Sequence, residues 1–185
     1  MTTYKEVKGT NIEAVASDPS NPLEGQIWFN TATYLVKAFF VNPGSWATGG
    51  DLGTARYGVG GSGTQTAAVA FGGSPSTGKT ELYNGTGWTE VNDLNAARYS
   101  LGNAGTSTAA LAFGGLAAPK GALTETWNGT SWSEVGNMSV ARGLPRGAGT
   151  QAAAIAAGGA GPGSDEGDAA ESFSSGPTTA SLGSE

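Results

Sequence analysis

Short apolar runs punctuated by glycine, asparagine and threonine recur along the chain, and none runs on in a helical pattern. TQTAAVAFGG and TSTAALAFGG hold apolar stretches of strand length bounded by Thr and Gly, the pattern of a buried strand. TELYNG and TETWNG run into Asn-Gly, the dipeptide that most readily takes the positive φ angles of a type I′ hairpin turn. GWTEV and SWSEV follow as the return strands, and a stretch such as RYSLGNAG after each Ala-Arg adds a fourth. The pattern predicts an all-β fold built from units of four short antiparallel strands.

The units align at many positions. Trp46, Trp88 and Trp132 lie 42 and then 44 residues apart. Ten residues after each comes Arg56, Arg98 or Arg142, always preceded by Ala, and four residues before each comes Asn42, Asn84 or Asn128. Gly63-Thr64, Gly105-Thr106 and Gly149-Thr150 open Ala-rich runs that end in Gly72-Gly73, Gly114-Gly115 and Gly158-Gly159, with Glu81, Glu125 and Glu171 beyond them. Self-similarity at a fixed period marks a repeat architecture, and four strands in about 43 residues is the layout of a propeller blade. The expected organisation is a docking segment at 1–25, a β-repeat region at 26–175 and a flexible tail at 176–185. The repeat units fall around 26–55, 56–97, 98–141 and 142–175.

The ends of the repeat region are unequal. Residues 26–46 carry the Asn–Trp half of a unit without its double-glycine half, and the last unit runs through AAAIAAGG into a Gly- and Ser-rich stretch. About three blade equivalents result, fewer than the four to eight of typical propellers. Completion by homo-oligomerisation is therefore expected: a dimer would supply six blades, and a trimer would suit a fibre.

Composition narrows the function. Of 185 residues 32 are Gly and only 13% are charged, which suits tight turns and closely approaching backbones rather than long helices. Five Trp, five Tyr and six Phe supply too many apolar anchors for a disordered chain. The net charge is −6 and no cluster of Lys or Arg occurs, which disfavours a nucleic-acid footprint. No Cys and no His occur, so disulfides, thiolate metal sites and Ser-His-Asp catalysis are excluded. MTTYKEVKGTNIEAVASD has no apolar segment and is not read as a signal peptide, and no run of 18 apolar residues suggests a membrane-spanning helix.

The order of double glycine, Glu with an aromatic two residues on, Trp and Arg resembles kelch repeats. Here the landmarks are Gly72-Gly73, Glu81, Tyr83, Trp88 and Arg98, then Gly114-Gly115, Glu125, Trp127, Trp132 and Arg142. The segment SDPSNPLEGQIWFNTATYLVKAFF resembles a G-x-I-W-x-N-T stretch common in phage tail and fibre proteins. Together the two resemblances cover roughly residues 17–160. They imply a non-enzymatic structural protein of tailed-phage virions: a tail-fibre, tail-associated or capsid-decorating subunit, made in the host cytoplasm. Its partners would be further copies of itself, other virion proteins docked through the N-terminal segment, and a host-surface glycan. Two departures from the kelch pattern stand out: the repeats are few, and Ala157 replaces Phe71 and Phe113.

Other motifs have plainer readings. Gly73-Ser74-Pro75-Ser76-Thr77-Gly78-Lys79-Thr80 matches the P-loop pattern, but that chemistry needs a helix after Lys79. The repeat predicts a strand there instead, and no cofactor is expected. Glu81, Glu90, Asp93, Glu125 and Glu134 are the candidates for a carboxylate pair of glycosidase type, yet most are repeat positions that serve a scaffold better. Asn84-Gly85-Thr86 and Asn128-Gly129-Thr130 match a glycosylation acceptor and are read as turns. Asp165-Glu166-Gly167-Asp168 could hold calcium but is read as solvated. The Trp residues could form a sugar-binding ring, but packing between blades, with each Arg held by carboxylates or carbonyls, is the expectation. Variable loops 74–80 and 116–123 are the expected recognition surface. The alternatives to a virion protein are a bacterial kelch-type carbohydrate-binding adhesin and a virion glycan-degrading enzyme.

Overall fold

The computed structural model describes residues 12–41, 43–116, 121–161 and 167–176. Among these the chain is all-β, with no helix, and its strands form four small sheets. They belong to two compact units, Met1–Ala47 and Thr48–Glu185. The stretch 26–55, expected as the first repeat unit, is divided between them.

In the first unit β1 (Glu13–Val15), β2 (Ile27–Asn30) and β3 (Leu35–Ala38) form one sheet, with β1 parallel to β2 and β2 antiparallel to β3. The Asn30 side-chain oxygen accepts the amides of Ala32 and Thr33, both at 3.0 Å, and so closes the hairpin with a side chain standing in for a backbone turn. No strand follows around Trp46, although the repeat predicts a return strand there. Trp46 itself is fully exposed. Asn42, its expected turn residue, lies outside the described residues.

The second unit is a run of three sheets, an arrangement compatible with propeller blades. The first blade orders β4 (Gly60–Gly63), β5 (Ala68–Phe71), β6 (Thr80–Tyr83) and β7 (Trp88–Val91). The second orders β8 (Gly102–Gly105), β9 (Ala110–Phe113), β10 (Thr124–Trp127) and β11 (Trp132–Glu134). The third contains β12 (Arg146–Gly149), β13 (Ala153–Ala157) and β14 (Ala170–Ser174). Every pairing in the three blades is antiparallel between sequence neighbours, so each blade is a meander. Lys79 leads directly into β6, as the repeat requires and a nucleotide-binding loop does not.

Alternation along each strand sends side chains to both neighbouring blades. Val69 and Phe71 of the first blade meet Ala110, Ala112, Trp127 and Trp132 of the second in one buried cluster. Leu111 and Phe113 leave the opposite side of the second blade to meet Ala154 and Ala156 of the third. The core is therefore two thin layers between sheets.

The first strands β4, β8 and β12 gather round a shared glycine-rich groove of about 260 Å³. Ser62 Oγ donates to the Ala104 carbonyl at 3.1 Å across it. These strands read GGSG, GNAG and RGAG, with Gly60, Gly102 and Gly147 at the points where a Cβ would collide with a neighbouring ring or carbonyl. A Cβ on Gly102 would sit 2.2 Å from the Phe113 ring.

The Asn-Gly turns are not the expected two-residue type I′ loops. Each is a four-residue loop in which Gly85 or Gly129 takes positive φ and the Asn does not. Asn84 Oδ1 accepts the amides of Thr86 and Gly87, both at 3.0 Å, and Asn128 Oδ1 those of Thr130 and Ser131 at 2.9 and 2.8 Å. The side-chain acceptor makes a second positive-φ residue unnecessary.

Gly102→Ala is expected to destabilise the repeat unit by about 1–3 kcal/mol through overpacking against Phe113. Denaturant titration checks this, and an unchanged midpoint would contradict the close approach of β8 to the core.

Candidate functional site

The repeated ionisable residues converge on one arrangement, built once per blade. Arg56, Arg98 and Arg142 stand in the linkers that enter β4, β8 and β12. Glu81, Glu125 and Glu171 stand on β6, β10 and β14, and each pairs with the Arg of its own blade. The Arg56–Glu81 side chains are about 1% exposed and the Arg98–Glu125 pair 2%. Arg98 and Glu125 approach to 3.2 Å, Arg142 and Glu171 to 2.5 Å.

The second carboxylate oxygen holds the linker backbone three residues before the Arg. Glu81 accepts the Gly53 amide at 2.7 Å, Glu125 the Asn95 amide at 2.8 Å and Glu171 the Ser139 amide at 2.7 Å. The guanidinium meanwhile reaches the strand end before the double glycine or the first glycine itself. Arg56 Nε donates to the Gly72 carbonyl at 2.9 Å and Arg142 Nη1 to that of Gly158 at 3.3 Å. Each Glu thus fastens a linker at two points.

Burial pushes the Glu81 carboxyl up, but the Arg56 hydrogen bond and the Gly53 amide more than offset this and hold it below the usual carboxylate range. Glu171 follows the same pattern: burial raises it, and Ser139 and Arg142 bring it lower. For Arg98 burial dominates and lowers the guanidinium pKa, against the attraction of Glu125 and Glu134. Among the described residues Arg98 Nε and Nη1 have no hydrogen-bond partner. Chemically, then, these are fixed counter-charges and not a free acid–base pair.

The remaining candidates scatter. Glu90 pairs with Lys79 at 2.6 Å, Asp93 accepts the Thr80 amide at 3.2 Å, and Glu134 is exposed at the end of β11. Glu81 and Glu90 stand opposite one another across β6 and β7, as Glu125 and Glu134 do across β10 and β11, but one member of each pair is sealed by Arg. The three repeat Trp residues have different surroundings. Trp132 is buried, edge-on to Phe71 at 4.8 Å, and its indole donates to Thr80 Oγ1 at 3.0 Å. Trp88 is half-buried against Tyr83 at 5.0 Å and donates to the Gly50 carbonyl. Trp46 belongs to the first unit. The acidic segment 165–168, read as solvated, falls partly outside the described residues (Asp165 and Glu166), as do 117–120 of the expected recognition loop.

A second polar cluster lies in the first unit. Asp18 accepts the Trp28 indole at 3.0 Å and the Asn30 amide at 2.7 Å through one oxygen, and Lys37 at 2.6 Å through the other. These hydrogen bonds, that of Lys37 foremost, lower the Asp18 carboxyl from 3.8 to about 2. Sequence reading passed over Asp18, because an acid ten residues from its Trp partner has no periodic signature. The recurrent linker positions Gly53, Asn95 and Ser139 were likewise not singled out, nor was Asn137, and Asp93 was a candidate carboxylate and not a cap on the Thr80 amide. Their spacings, 42 and 44 residues, were the available signal; their differing residue types concealed it.

No protein-family model matches the chain, and no curated protein matches it in sequence.

Glu125→Ala is expected to destabilise the repeat unit by about 3–5 kcal/mol, because it leaves the Arg98 charge buried without its counter-ion. Thermal or chemical unfolding measures it, and a loss below about 1 kcal/mol would show that the clamp contributes little. The Asp18 carboxyl is depressed in the folded state, so its contribution is complete above pH 3.8 and disappears as pH falls through about 2. The Trp28 indole N–H resonance should hold its position down to pH 3.8 and shift only at lower pH, and Asp18→Asn should abolish that titration.

Proposed function

We propose that the chain is a structural subunit of a tailed-phage virion, in a fibre, in the tail or decorating the capsid. It acts through assembly and surface contact, not through bond-making chemistry. The observation that carries this reading is the commitment of each repeated Glu to a buried Arg in its own blade. Charges fastened in every unit serve a scaffold, and a scaffold of this kind works through its faces and loops.

Two resemblances supply the setting. The kelch-like order of glycines, Glu, Trp and Arg supports a blade-built subunit. The Gly25-Gln26-Ile27-Trp28-Phe29-Asn30-Thr31 stretch, similar to segments of phage tail and fibre proteins, supports docking to other virion proteins through the first unit. There it forms β2 and the start of a hairpin held by Asp18. Within loop 74–80 the exposed Pro75 and Ser76 are the proposed outward surface for a host glycan.

Particle proteomics tests the proposal directly. Virions purified from the phage that encodes the chain should retain it in defined copy number through salt and detergent washes, and gold-labelled antibody should mark one structural position. Its absence from washed particles would reject a virion role.

A further inference from the structure

The contacts between successive blades follow one hydrogen-bond pattern. Between the first and second blades the Leu94 amide donates to the Gly78 carbonyl at 2.9 Å, the Arg98 amide to Thr77 at 3.2 Å, and the Ser100 amide to Gly58 at 2.7 Å. In the other direction the Gly73 amide donates to the Arg98 carbonyl at 3.0 Å, and the Thr80 amide to the Asp93 carboxylate at 3.2 Å. Between the second and third blades the same five bonds recur. Met138, Arg142 and Leu144 donate to Ala122, Gly121 and Ser100 at 2.9, 3.2 and 2.8 Å, and Gly115 to the Arg142 carbonyl at 3.0 Å. Thr124 donates to the Asn137 side chain at 3.0 Å.

Shifted by one repeat, each half of this seam reappears at one end of the run. The leading face offers the amides of Leu52, Arg56 and Gly58, the Arg56 carbonyl and the exposed Asp51 carboxylate. The trailing face offers the carbonyls of Leu144, Gly167 and Asp168 and the Gly159 amide, with Ala170 at the position of Thr80 and Thr124. The three leading amides, the Arg56 carbonyl and the four matching trailing groups outside the strands form no backbone hydrogen bond among the described residues. Gly158 also keeps the φ of its counterparts, +64° against +67° at Gly72. A Cβ on Gly72 would strike the Arg98 carbonyl at 2.5 Å, whereas one on Gly158 would meet only the Gly167 carbonyl, at 3.5 Å, among the described residues.

The apolar parts agree. On the second blade Leu101 is buried at 5%, and its counterpart on the leading face, Val59, is 38% exposed. Val69 and Leu111 are 1% and 0% exposed, and their counterpart on the trailing face, Ile155, is 49% exposed. Donors on one face match acceptors on the other and not their own kind. The faces therefore fit head to tail, continuing the contact already made twice inside the chain.

We propose that the occupant of each face is a second copy of this chain, and that two copies close head to tail into a six-bladed ring. A head-to-tail contact either closes or grows into a filament. Closure follows here from blade number: propellers use about four to eight blades, and the three blades among the described residues reach that range when two copies combine. The three innermost strands already gather round a common groove, which the second copy's three would complete. The proposal deepens the assembly reading above and rests on it for its setting. A monomeric chain found in washed particles would remove this contact and leave the virion role standing.

Sedimentation equilibrium of the intact chain should give twice 18.3 kDa. Val59→Arg and Ile155→Arg, both at exposed positions, should each weaken the dimer about tenfold or more. Mixed in equal amounts the two variants should recover dimer, since such a pair keeps one unaltered contact, head of one on tail of the other. A wild-type monomer at micromolar concentration, a trimer, an open filament, a dimer indifferent to both variants, or a mixture that fails to recover would each overturn the proposal.

Discussion

Where a linker turns into the innermost strand of its blade, a carboxylate from the third strand seizes it at two points, a backbone amide and an arginine three residues further on. The clamp has consequences beyond its own charges. With Glu125 holding Asn95 and Arg98, the linker from 92 to 100 cannot lift away, and its backbone groups at Leu94, Arg98 and Ser100 stand ready to bond the preceding blade. One ion pair inside a blade therefore sets the contact between blades. Buried ion pairs are poor sources of net stability, but removing one partner leaves an uncompensated charge in the interior, so a linker placed elsewhere would strand its Arg or the Glu that holds it.

Glycine and alanine permit the approach that the clamp dictates. Ala110 and Ala112 face the first blade while Leu111 and Phe113 face the third, so the second strand of the blade is smooth on one side and bulky on the other. On the smooth side the small alanines leave room for Trp127 and Trp132 to reach Val69 and Phe71. The consequence is a thin core that depends on every interface being covered. Ile155, 49% exposed where Val69 and Leu111 are buried, shows what a blade loses at the end of the run.

Repetition made the blades legible in the sequence, because a copied pattern exposes both the strands and the turns between them. β5, β6 and β7 and their second-blade counterparts lie where the double glycines and Asn-Gly pairs place them, and the strand after Lys79 followed from the same comparison. What failed was reasoning from the local signal alone. Asn-Gly suggested a two-residue turn, but the Asn side chain took the amides that a second positive-φ residue would otherwise have exposed. Trp46 matched Trp88 and Trp132 in position, yet its stretch has no strand partner in its own unit, and an isolated half-pattern does not fold as a half-blade. Clamp geometry was only partly legible: Arg and Glu recur openly, whereas Gly53, Asn95 and Ser139 contribute a backbone amide, to which residue identity is nearly indifferent.

That indifference explains how the third blade can drift in sequence and still keep its place. Ala157 stands where Phe71 and Phe113 do, and Ala170 where Thr80 and Thr124 do, so the anchor that receives Trp132 on the first blade is missing here. The polar half of the arrangement survives intact: Arg142 with Glu171, the Ser139 amide on the same carboxylate, and positive φ at Gly158 and Gly159. Leu144 even retains the left-handed backbone of Gly58 and Ser100, at φ 60°, a conformation that costs a non-glycine residue about 1 kcal/mol or more. A strained residue persists where the surrounding bonds over-determine it, and here those bonds are the seam to the second blade. Position in this repeat is thus enforced by the backbone first, and side-chain packing adjusts to the separation that the backbone sets.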